Sequence, residues 1–124
     1  MMPASYASNA YVPDQLIAGN ANELVGEKIT VLSGQVLLRG AVLGKITASG
    51  KYVLSLSAAA DGSQTPDFIL AEDCDAAAGD KIALAYSRGD FIAEKMILGA
   101  SHTVASIKEG LRVKNIILIS SAAA

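Results

Sequence analysis

Few residues of this chain have the types and spacing that chemistry requires. His102 is the single histidine and Cys74 the single cysteine, so a nucleophilic or zinc site would have to be built around them. No pair of ligands has the short spacing typical of zinc sites, and a histidine just before a helix is typical of a capping or surface position. Asp73 and Asp75 flank Cys74, and negative neighbours disfavour the reactive thiolate. The sequence therefore predicts no catalytic residue, no metal site and no cofactor.

A group of carboxylates between residues 67 and 80 has some features of a calcium-binding loop. Hard cations prefer oxygen ligands, but position 77, where a third ligand would be expected after Asp73 and Asp75, is an alanine. The twelve-residue calcium pattern also lacks its glycine and its terminal glutamate. We interpret the group as a solvated acidic loop. Its members are Asp67, Glu72, Asp73, Asp75 and Asp80.

Two glycine-containing motifs are interpreted as structural. Arg88-Gly89-Asp90 matches a tripeptide known from integrin ligands, but we expect it to form the turn of a hairpin between strands at 81–86 and 91–97. Gly40 and Gly44 lack the following residues of a phosphate-binding loop and the G-x-G-x-x-G spacing. They favour tight turns or close backbone packing.

Short strands must position these residues. Runs rich in Val, Ile and Leu alternate with glycine-containing turns from residue 28 onward. One segment has helical spacing, with Thr103 as its cap and Gly110 expected to weaken or end it. The fold class predicted is mainly β with one short helix (α+β), in a domain of residues 28–121 followed by a loose tail at 122–124. Strands are predicted at 28–32, 36–38, 42–47, 51–57, 68–72, 81–86, 91–97 and 115–120, and the helix at 103–111.

Residues 1–27 differ from the rest of the chain. The first fourteen are small or polar and are interrupted by two prolines, so we expect a flexible N-terminal arm that is mobile in the free protein. A merely irregular terminus is the alternative. Aromatic and β-branched residues in such an arm are suited to pairing with the strand edge of a partner. The candidate contact residues are Tyr6, Tyr11, Val12 and Pro13.

The composition limits the partners. The 124 residues carry a formal charge of −2, and the ten basic residues are dispersed, which argues against a nucleic-acid partner. The apolar runs are too short to span a bilayer, and no basic residue precedes Lys28, so we expect neither a membrane partner nor a signal peptide. Aromatic residues make up only 5% of the chain. A core built from small aliphatic residues is thin, which favours oligomerisation as a source of further burial.

Three segments, in this order and spacing, carry a resemblance to a known family. They are Leu38-Arg39-Gly40-x-Val42-Leu43-Gly44-Lys45, the turn Asp61-Gly62-Ser63-Gln64 leading into Ile69-Leu70-Ala71-Glu72-Asp73, and Ala83-Leu84-Ala85-Tyr86-x-Arg88-Gly89. Over about residues 28 to 120 the chain resembles the head decoration proteins of tailed phages, related to protein D of bacteriophage lambda.

The resemblance implies a structural protein and not an enzyme. It implies a small β-clip or β-tulip-like barrel that assembles as a homotrimer on the outer surface of the expanded phage head, at threefold and quasi-threefold sites of the major capsid protein. The arm would pair with that capsid protein. The protein would be made in the bacterial host cytoplasm and reside in the virion.

Two other functional classes are alternatives to this one. The first is a biotinyl-type carrier module or another small β binding domain. A carrier needs a lysine at an exposed hairpin tip, whereas Lys95 lies in a predicted strand and the Ala-Met-Lys-Met motif is absent. The second is a small enzyme, although the sequence has no evident pair of nucleophile and base.

Overall fold

A computed structural model describes residues 16–19 and 24–120, and these residues form nine strands, a single turn of 3-10 helix and one α-helix. The predicted fold class, mainly β with one helix, is confirmed. The elements are β1 Ile17–Gly19, β2 Val25–Val31, β3 Val36–Leu37, β4 Val42–Lys45, β5 Tyr52–Leu54, β6 Pro66–Leu70, β7 Cys74–Asp75, β8 Lys81–Ile92, the 3-10 turn Ala93–Lys95, α1 Val104–Val113 and β9 Ile116–Ile119.

Five strands close into a barrel in the order β2, β5, β4, β6, β8 and back to β2. The β2–β5 pair is parallel and the other four pairs are antiparallel. The small barrel that the resemblance implies is therefore present. Closure leaves none of these five strands as a free barrel edge, which removes a common route to uncontrolled strand pairing.

The barrel interior is narrow and combines small and large side chains. Ala83 and Ala85 of β8 point inward, while the rings of Tyr52 and Phe68 stack inside with their centroids 5.2 Å apart. Alanine on one wall leaves the room that the two rings occupy, as is usual in small barrels. Aliphatic side chains from the other strands complete this core, including Ile29, Val31, Leu43 and Leu70.

A second core lies on the outside of β4 and β6 and is covered by α1. Successive residues of a strand point to opposite faces, so Leu43 fills the barrel while Val42 joins the second core. Strand β6 divides in the same way, with Leu70 inside the barrel and Ile69 outside it. The second core also contains Leu16, Phe91, Ala93, Ile107, Leu111, Ile116 and Leu118.

The second half of β8 leaves the barrel and is flanked by two further strands. Strand β1 pairs with it antiparallel and β9 pairs with it parallel, so Phe91 lies between Ile17 and Leu118. The β-structure therefore begins earlier than the alternation from residue 28 predicts. The reason is tertiary: Leu16 is buried in the second core, although the short segment around it has no strand periodicity of its own.

The predicted hairpin around Arg88-Gly89-Asp90 is wrong. These residues lie within the continuous twelve-residue strand β8, and the predicted strand at 91–97 ends at Ile92 and is followed by the 3-10 turn. Gly89 has a φ of 150°, and a Cβ there would lie 3.1 Å from Cζ of Phe91 and closer still to Leu24. Gly89 therefore permits an irregular backbone conformation where β8 passes from the barrel to the second core. The chain does not reverse its direction there.

The predicted cap of the helix is confirmed. The side chain of Thr103 accepts the N–H of Ser106 at 3.1 Å, and the Ser106 hydroxyl oxygen accepts the N–H of Thr103 at 2.9 Å. Gly110 does not end the helix, which continues to Val113. None of the helical structure in the described ranges is long and apolar enough to cross a membrane.

Gly44 permits a close contact that fastens the 61–65 turn to the barrel. A Cβ on Gly44 would lie 2.6 Å from the carbonyl carbon of Ser63. By contrast, a Cβ on Gly110 would have no heavy-atom neighbour within 4 Å. The two glycines therefore offer a matched pair for mutation.

We predict that Gly44→Ala lowers the free energy of unfolding by about 1–3 kcal/mol, because the turn must move away from β4. Gly110→Ala should raise it by up to about 1 kcal/mol, because alanine is the better helix former. Urea unfolding followed by circular dichroism measures both. Equal stability of Gly44→Ala and the unmodified protein would contradict the close contact.

Tyr52 provides a reporter of the barrel interior. Its hydroxyl lies 3.4 Å from Oδ2 of Asp67, and burial, followed by the negative charge of Asp67, raises the pKa of Tyr52 to about 12. An unfolded tyrosine ionises near pH 10. Between those values the unfolded chain loses a proton that the folded chain retains, so the Tyr52 contribution to stability is complete below pH 10 and is lost as the pH rises through 12.

We predict that Tyr52→Phe removes one ionisation near pH 12 from the absorbance titration of the folded protein. The variant should also lose less of its stability between pH 10 and 12 than the unmodified chain does, whatever its stability at neutral pH. Tyr86→Phe is the control. An unchanged titration curve for Tyr52→Phe would show that the Tyr52 hydroxyl is not held protonated.

Candidate functional site

Cys74 is a buried thiol whose environment disfavours the thiolate. Its side chain lies in the barrel core, and burial is the main reason why its pKa is raised. The charges of Glu72 and Asp75 add to this increase, while Lys81 opposes it. The predicted direction is confirmed, but burial contributes more than the flanking acids do.

The acidic residues between 67 and 80 bind separate partners. Among the described residues, no group of three or more His, Cys, Asp and Glu side chains could hold a metal ion. Each carboxylate instead fastens a loop by accepting a hydrogen bond or pairing with a lysine. The contacts are Asp67 with Lys114 Nζ (3.2 Å), Glu72 with the N–H of Leu84 (3.0 Å), Asp73 with the N–H of Arg39 (2.8 Å), Asp75 with the N–H of Ala77 (3.0 Å), and Asp80 with the N–H of Ser33 (2.8 Å) and Lys51 Nζ (2.5 Å).

His102 contacts a serine that no sequence pattern indicates. The Oγ of Ser55 lies 3.1 Å from Nε2 of His102 and donates its proton to the carbonyl oxygen of Ser63 at 2.7 Å. Since the hydroxyl has one proton, it must accept the hydrogen bond from His102 Nε2–H. Nucleophilic catalysis requires the reverse, a histidine that accepts the serine proton. Ser55 is moreover completely buried.

The Ser55–His102 pair connects three separate loops. It joins the end of β5 to the 61–65 turn and to the segment before α1, where the Ser57 N–H also donates to the carbonyl of Ala100 at 3.2 Å. His102 therefore does not cap the helix; it holds the loop ahead of the helix. Sequence inspection could not find this pair, because the two residues are 47 positions apart.

We predict that Ser55→Ala lowers the free energy of unfolding by about 1–3 kcal/mol, because it leaves a buried carbonyl and an imidazole N–H without their partner. Ser57→Ala, at an exposed position two residues away, is the control and should change stability little. Thermal unfolding measures both. If the two variants lose the same stability, the hydroxyl network does not hold these loops.

The predicted contact residues Tyr6, Tyr11, Val12 and Pro13 lie outside the described residues. The described part of the chain does define where the arm joins the domain. Leu16 is 2% exposed, and its carbonyl oxygen accepts the N–H of Ile92 at 2.8 Å. Strand β1 and the start of β2 fall within the predicted arm of residues 1–27. The arm is therefore limited below to residues 1–15, which join the domain at this buried residue.

Both ends of the described chain lie at the same end of the domain. Leu16 is beside Ile92 on one side of β8, and Ile119 is paired with Ile92 on the other side. Because paired strands are about 4.8 Å apart, the two flanking strands are roughly 10 Å from each other. Any segment that extends from residue 16 or from residue 120 thus starts near the end of β8.

Two exposed apolar features lie on the barrel wall. The first is on the outer face of β8, where Ile82 is 66% exposed and Leu84 is 39% exposed. These two residues are two positions apart on the strand, so they share a face, and this face is the outer one. The second is a groove of about 270 Å³ outside β5. It is lined by Leu32, Gln35, Ile46, Val53, Leu54, Leu56, Ala59, Asp61 and Ser63.

Comparison with known proteins identifies the family. No curated protein matches the chain. A family model described as bacteriophage lambda head decoration protein D matches residues 5–114, which covers most of the folded domain and the greater part of the N-terminal arm. The chain therefore belongs to the bacteriophage lambda head decoration protein D family.

Proposed function

We propose that this protein is a cement for a tailed-phage capsid. In this proposal it binds as a homotrimer to the outer surface of the expanded head, at threefold and quasi-threefold sites, and its arm pairs with the major capsid protein. Membership of the family supports a structural role in capsid decoration and a location on the virion. The observation that carries the proposal is the family match itself, which extends into the arm as far as residue 5.

The root of the arm, which consists of Leu16 and Ile17, is suited to carrying mechanical load. Leu16 is buried, and Ile17 pairs with Phe91 of β8, so tension on residues 1–15 would be transmitted directly into the second core. A flexible linker at this position would allow the domain to move away from its anchor. In extended form these fifteen residues reach about 50 Å, enough to cross a contact face and follow a neighbouring strand.

The position of the arm indicates which end of the subunit faces the capsid. Residue 16 and residue 120 both lie at the end of β8, so in this proposal that end contacts the shell. The opposite parts of the barrel then face away from the shell or towards neighbouring copies. This orientation gives each arm the shortest path to the capsid protein.

Three modest contacts are sufficient for firm attachment. Once one arm of a trimer is bound, the other two encounter their sites at a high effective concentration. A protein that binds only the expanded shell stabilises that state relative to its competitors. Decoration would therefore follow expansion and make it harder to reverse.

We predict that deletion of residues 1–15 abolishes binding to expanded, undecorated capsids while leaving the fold intact. Circular dichroism and thermal unfolding test the fold, and co-sedimentation with capsids tests binding. Deletion of residues 121–124, which follow strand β9, is the matched control and should bind normally. Normal decoration by the 1–15 deletion would contradict the role of the arm.

A longer deletion separates binding from folding. Deletion of residues 1–20 also removes Leu16 and β1, so it should lower the free energy of unfolding by about 2–5 kcal/mol relative to the shorter deletion.

The double variant Tyr6→Ala and Tyr11→Ala in the full chain should weaken capsid binding by at least tenfold without a change in stability, if these rings are contact residues. Urea unfolding measures the first effect, and co-sedimentation at graded capsid concentrations measures the second.

A further inference from the structure

A closed ring of three copies needs two different surfaces on each subunit. In a twofold dimer one surface meets itself, but in a threefold ring one surface of each copy meets another surface of the next. The homotrimer of the proposed function therefore requires a complementary pair of surfaces, and their assignment rests on that proposed function. The two apolar features of the barrel wall are candidates for this pair.

The first surface, here called the ridge, consists of Ile82 and Leu84. Their cross-strand partners on β2 are Thr30 and Lys28, whose side chains share the outer face. Opposite the next outward position of β8 is Gly26, where a Cβ would lie 3.3 Å from Cδ1 of Leu84. Leu84 therefore lies against Gly26 and is partly covered, whereas Ile82 stands out further from the wall, with Lys28 beside Leu84 on the neighbouring strand.

The second surface, here called the groove, is concave. Its apolar lining includes Val53 on the outer face of β5 and Leu56, which is 42% exposed. Asp61 lies at the groove and is exposed, with Oδ1 accepting both the N–H and the hydroxyl of Ser63. These hydrogen bonds hold the pKa of Asp61 below its usual value, so its carboxylate is charged at neutral pH.

Ridge and groove match in polarity and charge. The ridge has a lysine at its side, and the groove has an aspartate. An apolar contact bordered by an opposite-charge pair has the anatomy of a protein interface, with an apolar centre and a polar rim.

Because of the order of the strands in the barrel, the same contact can be repeated from one copy to the next. Around the barrel, β8 is adjacent to β2, and β2 is adjacent to β5, so ridge and groove lie on different strands. A ridge that occupies the groove of the next copy leaves its own groove open for a third copy. Such head-to-tail contacts generate a ring when the rotation closes.

We propose that Ile82 and Leu84 of one copy insert into the groove of a second copy of this chain, with Lys28 of the first facing Asp61 of the second. This contact assigns both faces of the trimer interface. The ridge lies in the first half of β8, whereas the arm joins the domain beside Ile92 at the other end of this strand. Self-association and capsid attachment thus use different parts of the molecule.

The test compares full-length variants by light scattering. Ile82→Glu and Leu56→Glu each place a charge in one half of the contact, and each should convert particles of three times the 12.7 kDa chain mass into monomers. Val113→Glu, on α1 at a position 81% exposed, is the matched control and should remain trimeric. Circular dichroism checks the fold. Ile82→Ser serves as a milder ridge variant if the glutamate variant does not fold.

A mixing experiment distinguishes this contact from other arrangements. The Ile82→Glu chain keeps its groove and the Leu56→Glu chain keeps its ridge, so an equimolar mixture should form dimers with one intact interface but no closed trimers. Trimers in either single variant, or no dimers in the mixture, would overturn the ridge and groove contact. Co-sedimentation of the same variants with capsids is the separate readout of the proposed function. Trimeric variants that decorate capsids normally would refute this interface and leave the cement function standing.

Discussion

Strand β8 belongs to both cores, and this double membership determines most of the architecture. Its first half closes the barrel by pairing with β2 and β6, while its second half pairs with β1 and β9. The inward residues of the first half are Ala83 and Ala85, and Phe91 of the second half is completely buried beneath the helix. The barrel, the helix and the root of the arm are therefore connected through one continuous backbone.

The polar residues serve the same architecture. The carboxylates of the 67–80 segment bind backbone N–H groups and lysines of neighbouring loops, and the hydroxyl of Ser55 is shared between Ser63 and His102. A buried polar group must find a partner, and one that does also fixes the geometry of the groups around it. Side chains of types that perform catalysis or bind metals in other proteins form hydrogen bonds here that hold loops on a small barrel.

A small barrel of this kind gives a decoration protein separate working surfaces. The arm leaves from the second core, whereas the ridge and the groove lie on the barrel wall. Contacts between copies and contacts with a shell can then be made together without competing for one face. In the proposed function, force on the arm would act on the fold as a whole, because Leu16 is buried in the second core and hydrogen bonded to Ile92.

The local structure and the family could be predicted from the sequence, whereas features that depend on distant residues emerge only in the folded chain. Strand and helix periods and the Thr103 cap are set by short stretches of chain, and the order of three short segments was enough to indicate the decoration proteins. Arg88-Gly89-Asp90 has the composition of a turn, but β1, β2 and β9 pair with this stretch and extend it into a strand. Likewise, Ile82 and Leu84 face outward because the interior is already filled by rings from other strands. Non-local packing overrides local preference wherever a narrow core must be filled, and a single sequence contains no direct record of which distant residues fill it.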